Sequence, residues 1–264
     1  MSDEPHLLVE RDGPIVTLTM NRPDSRNALS AEMLARMVDA WHLIDEDDEI
    51  RVGILTGGPD VFCAGADLKT MFSPGTDEWS QRFQSDPELA WKGLLRNYRL
   101  SKPLIAAVEG YAVAGGTEIL QGTDIRVAGE GAQFGLAEVK RGLFPLGGST
   151  IRLRRQIGYA AAMDILLTGR FIPAEEALAM GLINKIVPKG GALAAAREYA
   201  EMIAENAPLS VKAIKRSVIE TEGLPETEAL AVEFNIGFPI FTSEDAREGA
   251  KAFSEKRPPQ YKGR

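Results

Sequence analysis

Apolar and polar positions alternate along the first part of the chain with two distinct periods. Ile15 to Met20 alternates apolar and hydroxylated residues and reads as a strand, broken by Asn21-Arg22-Pro23-Asp24. Ser30 is a good helix N-cap, with Glu32 in the first turn where the helix dipole favours an anion. Leu34, Met37, Val38, Trp41 and Ile44 follow at spacings of three and four, the buried stripe of an amphipathic helix ending near the acidic run Asp45 to Glu49. Val52 to Thr56 is a second strand, closed by Gly57-Gly58-Pro59. Strand, helix, strand in that order predicts a parallel pair joined by a crossover.

Leu104 to Val108 is a third apolar strand, Ile125 to Ala128 another, and Gln133-Phe134 a short one; Gly115-Gly116 opens a helical stretch through Leu120. Between Met71 and Arg99 lies a polar and aromatic segment of loop and helix. From about Ile157 helical patterns dominate. Pro173 stands as a first helical residue, Gly181 as a C-cap, and Ile183 to Val187 as a last strand. Helices are expected over Ala192 to Ala204, Leu209 to Ile219, around Glu226 to Phe241, and over Asp245 to Phe253; the basic tail Lys256 to Arg264 reads as extended. The expected organisation is an α/β core over residues 1–200 and a helical part over 201–264.

Composition narrows the function classes. The chain has 264 residues, 44% hydrophobic and 26% charged, enough to bury a sizeable core. Its formal net charge of −8 disfavours nucleic acid or an anionic membrane as the main partner. The lone Cys63 precludes an internal disulfide and, with only His6 and His42, leaves a His/Cys metal site almost no ligands, so no metal is expected. Without a signal-like N-terminus or a run of about 18 apolar residues, a cytoplasmic protein is the expectation.

Two glycine-rich stretches follow strands: Phe62-Cys63-Ala64-Gly65-Ala66-Asp67, and Gly110 through Gly115-Gly116-Thr117-Glu118. Small residues there let backbone approach a ligand, and free N–H groups at a helix start bind anions; for a glycine cluster taken alone, tight helix-on-sheet packing is the favoured reading. Neither stretch fits the dinucleotide or phosphate-loop pattern. Cys63 reads as a small core residue rather than a nucleophile. Trp79, Phe83 and Trp91 could wall a pocket or simply pack the core.

Separated blocks of the chain resemble the enoyl-CoA hydratase/isomerase, or crotonase, family, and most of all its actinobacterial members. They are Arg26-Asn27-Ala28-Leu29 with Phe62 to Leu68; Lys102 to Gly110, running through Ala114 to Glu118, Thr123 to Ala128 and Gln133 to Glu138; and Leu167 to Arg170, Ala179 to Ile183 and Ala252 to Arg257. They stand in family order over nearly the whole chain. The resemblance implies a spiral of ββα units with a C-terminal helical trimerisation region, assembled as a homotrimer or a dimer of trimers. It implies an acyl-CoA thioester as substrate, with coenzyme A part of that substrate and no separate cofactor. It implies an oxyanion hole from the N–H groups of Ala66 and Gly115, and a water held by Glu118 as base and Glu138 as acid. Arg26, Ala28, Ala64, Asp67 and Leu68 are implied to meet coenzyme A, Ala137 and Leu146 the substrate, and Phe253 and Lys256 the coenzyme A of a neighbouring subunit. The implied activity is hydration of a trans-2-enoyl-CoA to a 3-hydroxyacyl-CoA, in a β-oxidation-type step that in some actinobacterial members handles steroid side-chain thioesters. The alternatives are a Δ3,Δ2-enoyl-CoA isomerase and a non-catalytic thioester-binding homologue. Two positions depart from the family pattern: Glu109 stands where many members have asparagine, and Leu146 where glycine is common near the catalytic water.

Overall fold

A computed structural model describes residues 4–68 and 78–264 of the chain. Six strands form the main sheet: β1 (Leu7–Asp12), β2 (Ile15–Met20), β3 (Val52–Thr56), β4 (Leu104–Val108), β6 (Ile125–Gly129) and β9 (Lys185–Val187), in that spatial order. β1 and β2 pair antiparallel as a hairpin; every other neighbouring pair is parallel. A second sheet of β5 (Tyr111–Val113), β7 (Gln133–Gly135) and β8 (Phe171–Pro173) lies after the C-terminal ends of these strands in the chain path.

Side-chain alternation splits the core in two. Leu55 of β3 and Leu104, Ala106 and Val108 of β4 join the larger core, which contains the buried face of helix Ala31–Glu46. Val52, Ile54, Ile105 and Ala107 point the other way, onto Ala192, Ala195, Ala196 and Ala200 of helix Ala192–Ala204. An alanine face lets that helix sit close to the sheet. Glu109, at the end of β4, holds its start: Oε1 accepts the N–H groups of Gly190 and Ala192, each at 3.0 Å. This is a helix-start role for the carboxylate. Gly129 leaves room for it, since a Cβ there would meet Glu109 Oε2 at 2.1 Å.

Most expected elements are present, including Ser30 as an N-cap whose Oγ accepts Met33 N–H at 3.1 Å. Three details differ. β1 is an additional edge strand; its LLVERD sequence is exposed beyond its first residues and has no clean alternation to betray it. Pro173 closes β8 instead of opening a helix, and helix Ala174–Ala179 begins after it. Helices Ser149–Gln156 and Tyr159–Thr168 precede it. Position 200 falls inside helix Ala192–Ala204, which packs on the sheet; the helices that project beyond it begin at Pro208. The segment between Met71 and Arg99 contains helices Glu78–Ser85 and Leu89–Gly93, and its part up to residue 77 lies outside the described residues.

Asn27 fixes the turn after β2. It is fully buried with φ of 52°; its Oδ1 accepts Arg22 N–H at 2.8 Å, and its Nδ2 donates to Gly57 O at 2.7 Å and Val61 O at 2.9 Å. Asn27→Ala strands three buried polar groups and gives up a residue tolerant of this backbone region. It should cost about 2–4 kcal/mol of stability, read as a lower denaturant midpoint.

Candidate functional site

Three backbone segments run side by side beneath one end of the sheets. Leu29 N–H donates to Gly65 O at 2.8 Å and Asp67 N–H to Leu29 O at 3.2 Å. Cys63 N–H donates to Tyr111 O at 2.9 Å, and Val113 N–H to Cys63 O at 3.0 Å. Ala114 ends the third segment with φ 50° and ψ −123°, a conformation an L-residue adopts only under strain. Its N–H is tied to Gly135 O at 2.8 Å. The strained turn brings Gly115 against the second segment: a Cβ on Gly115 would lie 3.7 Å from Ala66 N, and one on Gly65 3.2 Å from Gly115 N. A side chain at either position would occupy the space where the two N–H groups meet. Neither N–H finds an acceptor among the described residues. Two adjacent unused backbone donors are what an oxygen anion needs.

Glu118 lies one turn into helix Gly115–Leu120 and is 5% exposed. Its Oε1 accepts Ser149 Oγ–H at 3.2 Å, and the backbone N–H groups of Gly147 and Ser149 also donate to the carboxylate. Ser149 Oγ is held by Gln121 Nε2 at 2.8 Å. Gly147 is needed for contact, because a Cβ there would stand 2.6 Å from Glu118 Oε2. Glu138 opens the 3₁₀ turn Glu138–Arg141, and its Oε2 is buried without a partner among the described residues. Thr117 ties the two carboxylate-bearing segments together: its Oγ1 lies 3.1 Å from both the O and the N of Gly135, three residues before Glu138, and 2.5 Å from Ala112 O. Burial, reinforced by the charge of Glu138, pushes Glu118 up to about 7, while its three donors pull the other way. Burial raises Glu138 as well. Burial and proximity thus push both carboxyls toward the protonated form. Such a pair can accept a proton at one oxygen and supply one at another.

Residues 10–264 match the family model described as enoyl-CoA hydratase/isomerase. The chain belongs to that family. It is 54% identical over 262 residues to enoyl-CoA hydratase EchA19 of Mycobacterium tuberculosis, covering 98% of this chain and 97% of that relative. An enoyl-CoA hydratase crystal structure from M. tuberculosis superposes with a TM-score of 0.88 at 42% identity, covering 99% of this chain and all (100%) of the other. One from Bacillus anthracis gives 0.90 at 34% identity, covering 98% and 100%. The fold is therefore the crotonase fold that the sequence blocks implied.

The structure gathers most of the family's expected site residues and leaves some outside. Ala66, Gly115, Glu118 and Glu138 converge, and Ala137, half-buried, immediately precedes Glu138. Arg26 is exposed with φ of 52°, and its carbonyl accepts Ala64 N–H at 3.0 Å. Ala28 O accepts Arg22 Nη1 at 2.6 Å, and the Asp67 carboxylate is 3.1 Å from Arg22 Nη2, so Asp67 is engaged in positioning its own loop. Leu68 is 45% exposed beside it. Leu146 is also largely exposed, while its neighbour Gly147 makes the contact with Glu118. Phe253, 87% exposed, and Lys256 end the last helix, Glu244–Glu255, which packs on the turn Phe238–Thr242; within one chain they stand apart from the glutamates. Cys63 is buried and burial pushes its thiol up to about 12, as suits a core residue. Trp79, Phe83 and Trp91 pack on the core; Arg36 and Arg82 lie over the Trp79 ring and Arg96 over Trp91.

Gly147, Ser149 and Gln121 were not singled out from sequence. They are ordinary residues whose only signal is three-dimensional: a serine at the start of a helix that folds back onto Glu118. Ser149→Ala removes a donor to the ionised carboxylate, so the Glu118 titration should move to higher pH. A ¹³C NMR titration of glutamate-labelled protein would show the shift; an unmoved titration would refute the contact's role.

Proposed function

We propose that the chain hydrates the 2,3 double bond of an enoyl-CoA through Glu118 and Glu138. The observation that carries this reading is a pair of carboxyls raised by burial beside two backbone donors with no acceptor among the described residues. The thioester carbonyl oxygen sits between the N–H groups of Ala66 and Gly115. Its conjugation with the double bond makes C3 electrophilic, so the reading calls on no metal or separate cofactor. A water lies between the carboxyl groups. Glu118, whose three donors favour its ionised form, takes one proton as the water oxygen bonds to C3. Electron density moves through C2 to the thioester oxygen, where the two N–H groups stabilise the enolate; one such donor is worth about 10²–10³ in rate. Glu138, whose Oε2 is buried without a partner among the described residues, delivers a proton to C2. The net change is one water added, giving a 3-hydroxyacyl-CoA. Proton exchange across the pair resets it.

An isomerase moves one proton between C2 and C4 and usually manages with one such glutamate. The retained pair favours hydration, and the same two carboxylates argue against a non-catalytic homologue. The coenzyme A portion would run along Arg26, Ala28, Ala64, Asp67 and Leu68. A neighbouring copy would add Phe253 and Lys256 in a homotrimer or dimer of trimers. The exposed apolar side chains Ile214, Val218, Phe234, Phe238 and Phe241 along the C-terminal helices support a self-association face. A cytoplasmic location fits this soluble-substrate chemistry; no helix among the described residues is long and apolar enough to cross a membrane.

Added enzyme should bleach the ultraviolet absorbance of a 2-enoyl-CoA. Glu118→Gln and Glu138→Gln should each slow that loss by about 10²–10⁴. Unimpaired variants would exclude the assignment. Gly147→Ala, which drives a methyl into the carboxylate, should lower kcat by about 10² or more. The pH dependence follows from the coupled carboxyls. Burial and the neighbouring carboxylate hold Glu118 up to about 7 and burial raises Glu138, so kcat/KM should decline as pH rises past about 7 and the coupled pair loses its last proton. It should also decline in acid, where both carboxyls are protonated and no base remains.

A further inference from the structure

A cleft of about 300 Å³ adjoins the Leu146–Gly148 turn, and four arginines line it: Arg96, Arg99, Arg152 and Arg155. Leu146 and Gly148, the neighbours of the glycine that touches Glu118, form part of its wall, so the cleft begins beside the reacting centre. In a chain of net charge −8, four guanidinium groups around one cleft are a pronounced local reversal.

Their bonding leaves them underused. Arg152 is 8% exposed; its Nη2 donates to Leu95 O at 2.6 Å and Arg96 O at 3.2 Å, but its Nη1 is buried with no partner among the described residues. A buried guanidinium with a donor unpaired is costly unless something in use supplies the acceptor. Arg96 stacks on Trp91 and donates to Asn97 Oδ1 at 2.8 Å, and no carboxylate among the described residues pairs with it. Arg155 is the exception, held by Glu222 at 2.8 Å. Burial first, then the positive charges of Arg99 and Arg96, depress Arg152 to about 10; the charges of Glu222 and Glu118 act in the opposite sense. Like charges crowded around a buried cation mark a place that an anion would relieve. The rest of the wall is apolar and open: Phe144 is 64% exposed, and Leu146 and Ile151 each 49%.

We infer that the acyl group of the substrate carries a carboxylate at the end remote from the thioester, and that this cleft receives it. This rests on the hydratase reading, which fixes the direction. The thioester oxygen lies at Ala66 and Gly115, and C2 and C3 lie at the two glutamates. The acyl chain beyond C3 then passes Gly147 into the cleft. Its hydrocarbon part runs along Phe144, Leu146 and Ile151, and its terminal carboxylate meets Arg99, Arg96 and the spare Nη1 of Arg152. Arginine is suited to this, since its planar fork matches a carboxylate and is less strongly hydrated than an ammonium.

The test uses matched pairs of 2-enoyl-CoA thioesters, equal in chain length and differing only in a terminal methyl or a terminal carboxylate, over a series of lengths. The full-length enzyme should favour the carboxylate member at its best length by about ten- to hundredfold in kcat/KM, the worth of a charge-assisted bond or two. Arg99→Ala and Arg96→Ala should bring that ratio close to one, mainly through KM. Calorimetry of both thioesters with Glu118→Gln protein reads the preference without turnover. Hydration of the methyl members with no carboxylate preference at any length overturns the inference and leaves the hydratase reading standing. A preference that survives both arginine substitutions also overturns it, because the carboxylate would then bind elsewhere. If neither member is hydrated, the hydratase reading fails, and equal calorimetric affinities would remove this inference with it.

Discussion

Burying two carboxylates side by side is the constraint around which the site is arranged. A glutamate in an apolar interior resists ionisation, and a second one beside it resists further. The chain does not avoid that cost at Glu118; it tunes it. Three donors from Gly147 and Ser149 stabilise the charged form enough that it remains reachable near neutral pH, with burial and Glu138 holding it up to about 7. Without those donors the group would stay protonated more firmly. Without the burial and the neighbour it would be an ordinary surface acid.

That tuning demands backbone in unusual places. Ala114 sits at φ 50° so that Gly115 can face Ala66, and Gly147 is pressed against a carboxylate where any side chain would collide. The strain is held by ordinary bonds around it: the Ala114 N–H to Gly135, the Thr117 hydroxyl to Ala112 and Gly135, and Asn27 to the turn beside Gly57. A rigid sheet with both faces packed supplies the support. The short second sheet extends it to the loops that carry the unengaged donors and the two carboxylates, which the chain's own bonds hold in place.

How much of this was legible in the sequence depends on the range of the interaction. Period and capping gave helix Ala31–Glu46 and strands β2, β3 and β4 nearly to the residue, because each records its burial in local alternation. β1 escaped because an exposed edge strand has little burial to record. The glycine-rich stretches were legible as places where backbone comes close to something, but not as to what. Glu118 and Glu138 were indistinguishable from other glutamates by pattern, and only the family resemblance raised them. Ser149 and Gln121 were invisible, since their contact with Glu118 spans a fold-back between helices that no short window contains.

Glu109 shows why pattern falls short here. It too is a buried glutamate after a strand and next to glycine, and it too accepts two backbone N–H groups near a helix start. By composition and local context it matches Glu118 closely. The difference lies in what each carboxylate faces, since Glu109 too keeps a buried oxygen, Oε2, without a partner among the described residues. Glu109 faces Gly129 and the start of helix Ala192–Ala204, so its carboxylate fastens one protein segment to another. Glu118 has a second acid near it and two unengaged N–H groups one turn away. A buried carboxylate enclosed between two segments of its own chain fastens the fold. One with a second acid near it and backbone donors without an acceptor among the described residues is open to a ligand. The same test applied beyond Gly147 separates Arg126, whose guanidinium bonds to Thr123 and Leu182 within the core, from Arg152, which keeps a buried donor in reserve at the wall of an open cleft.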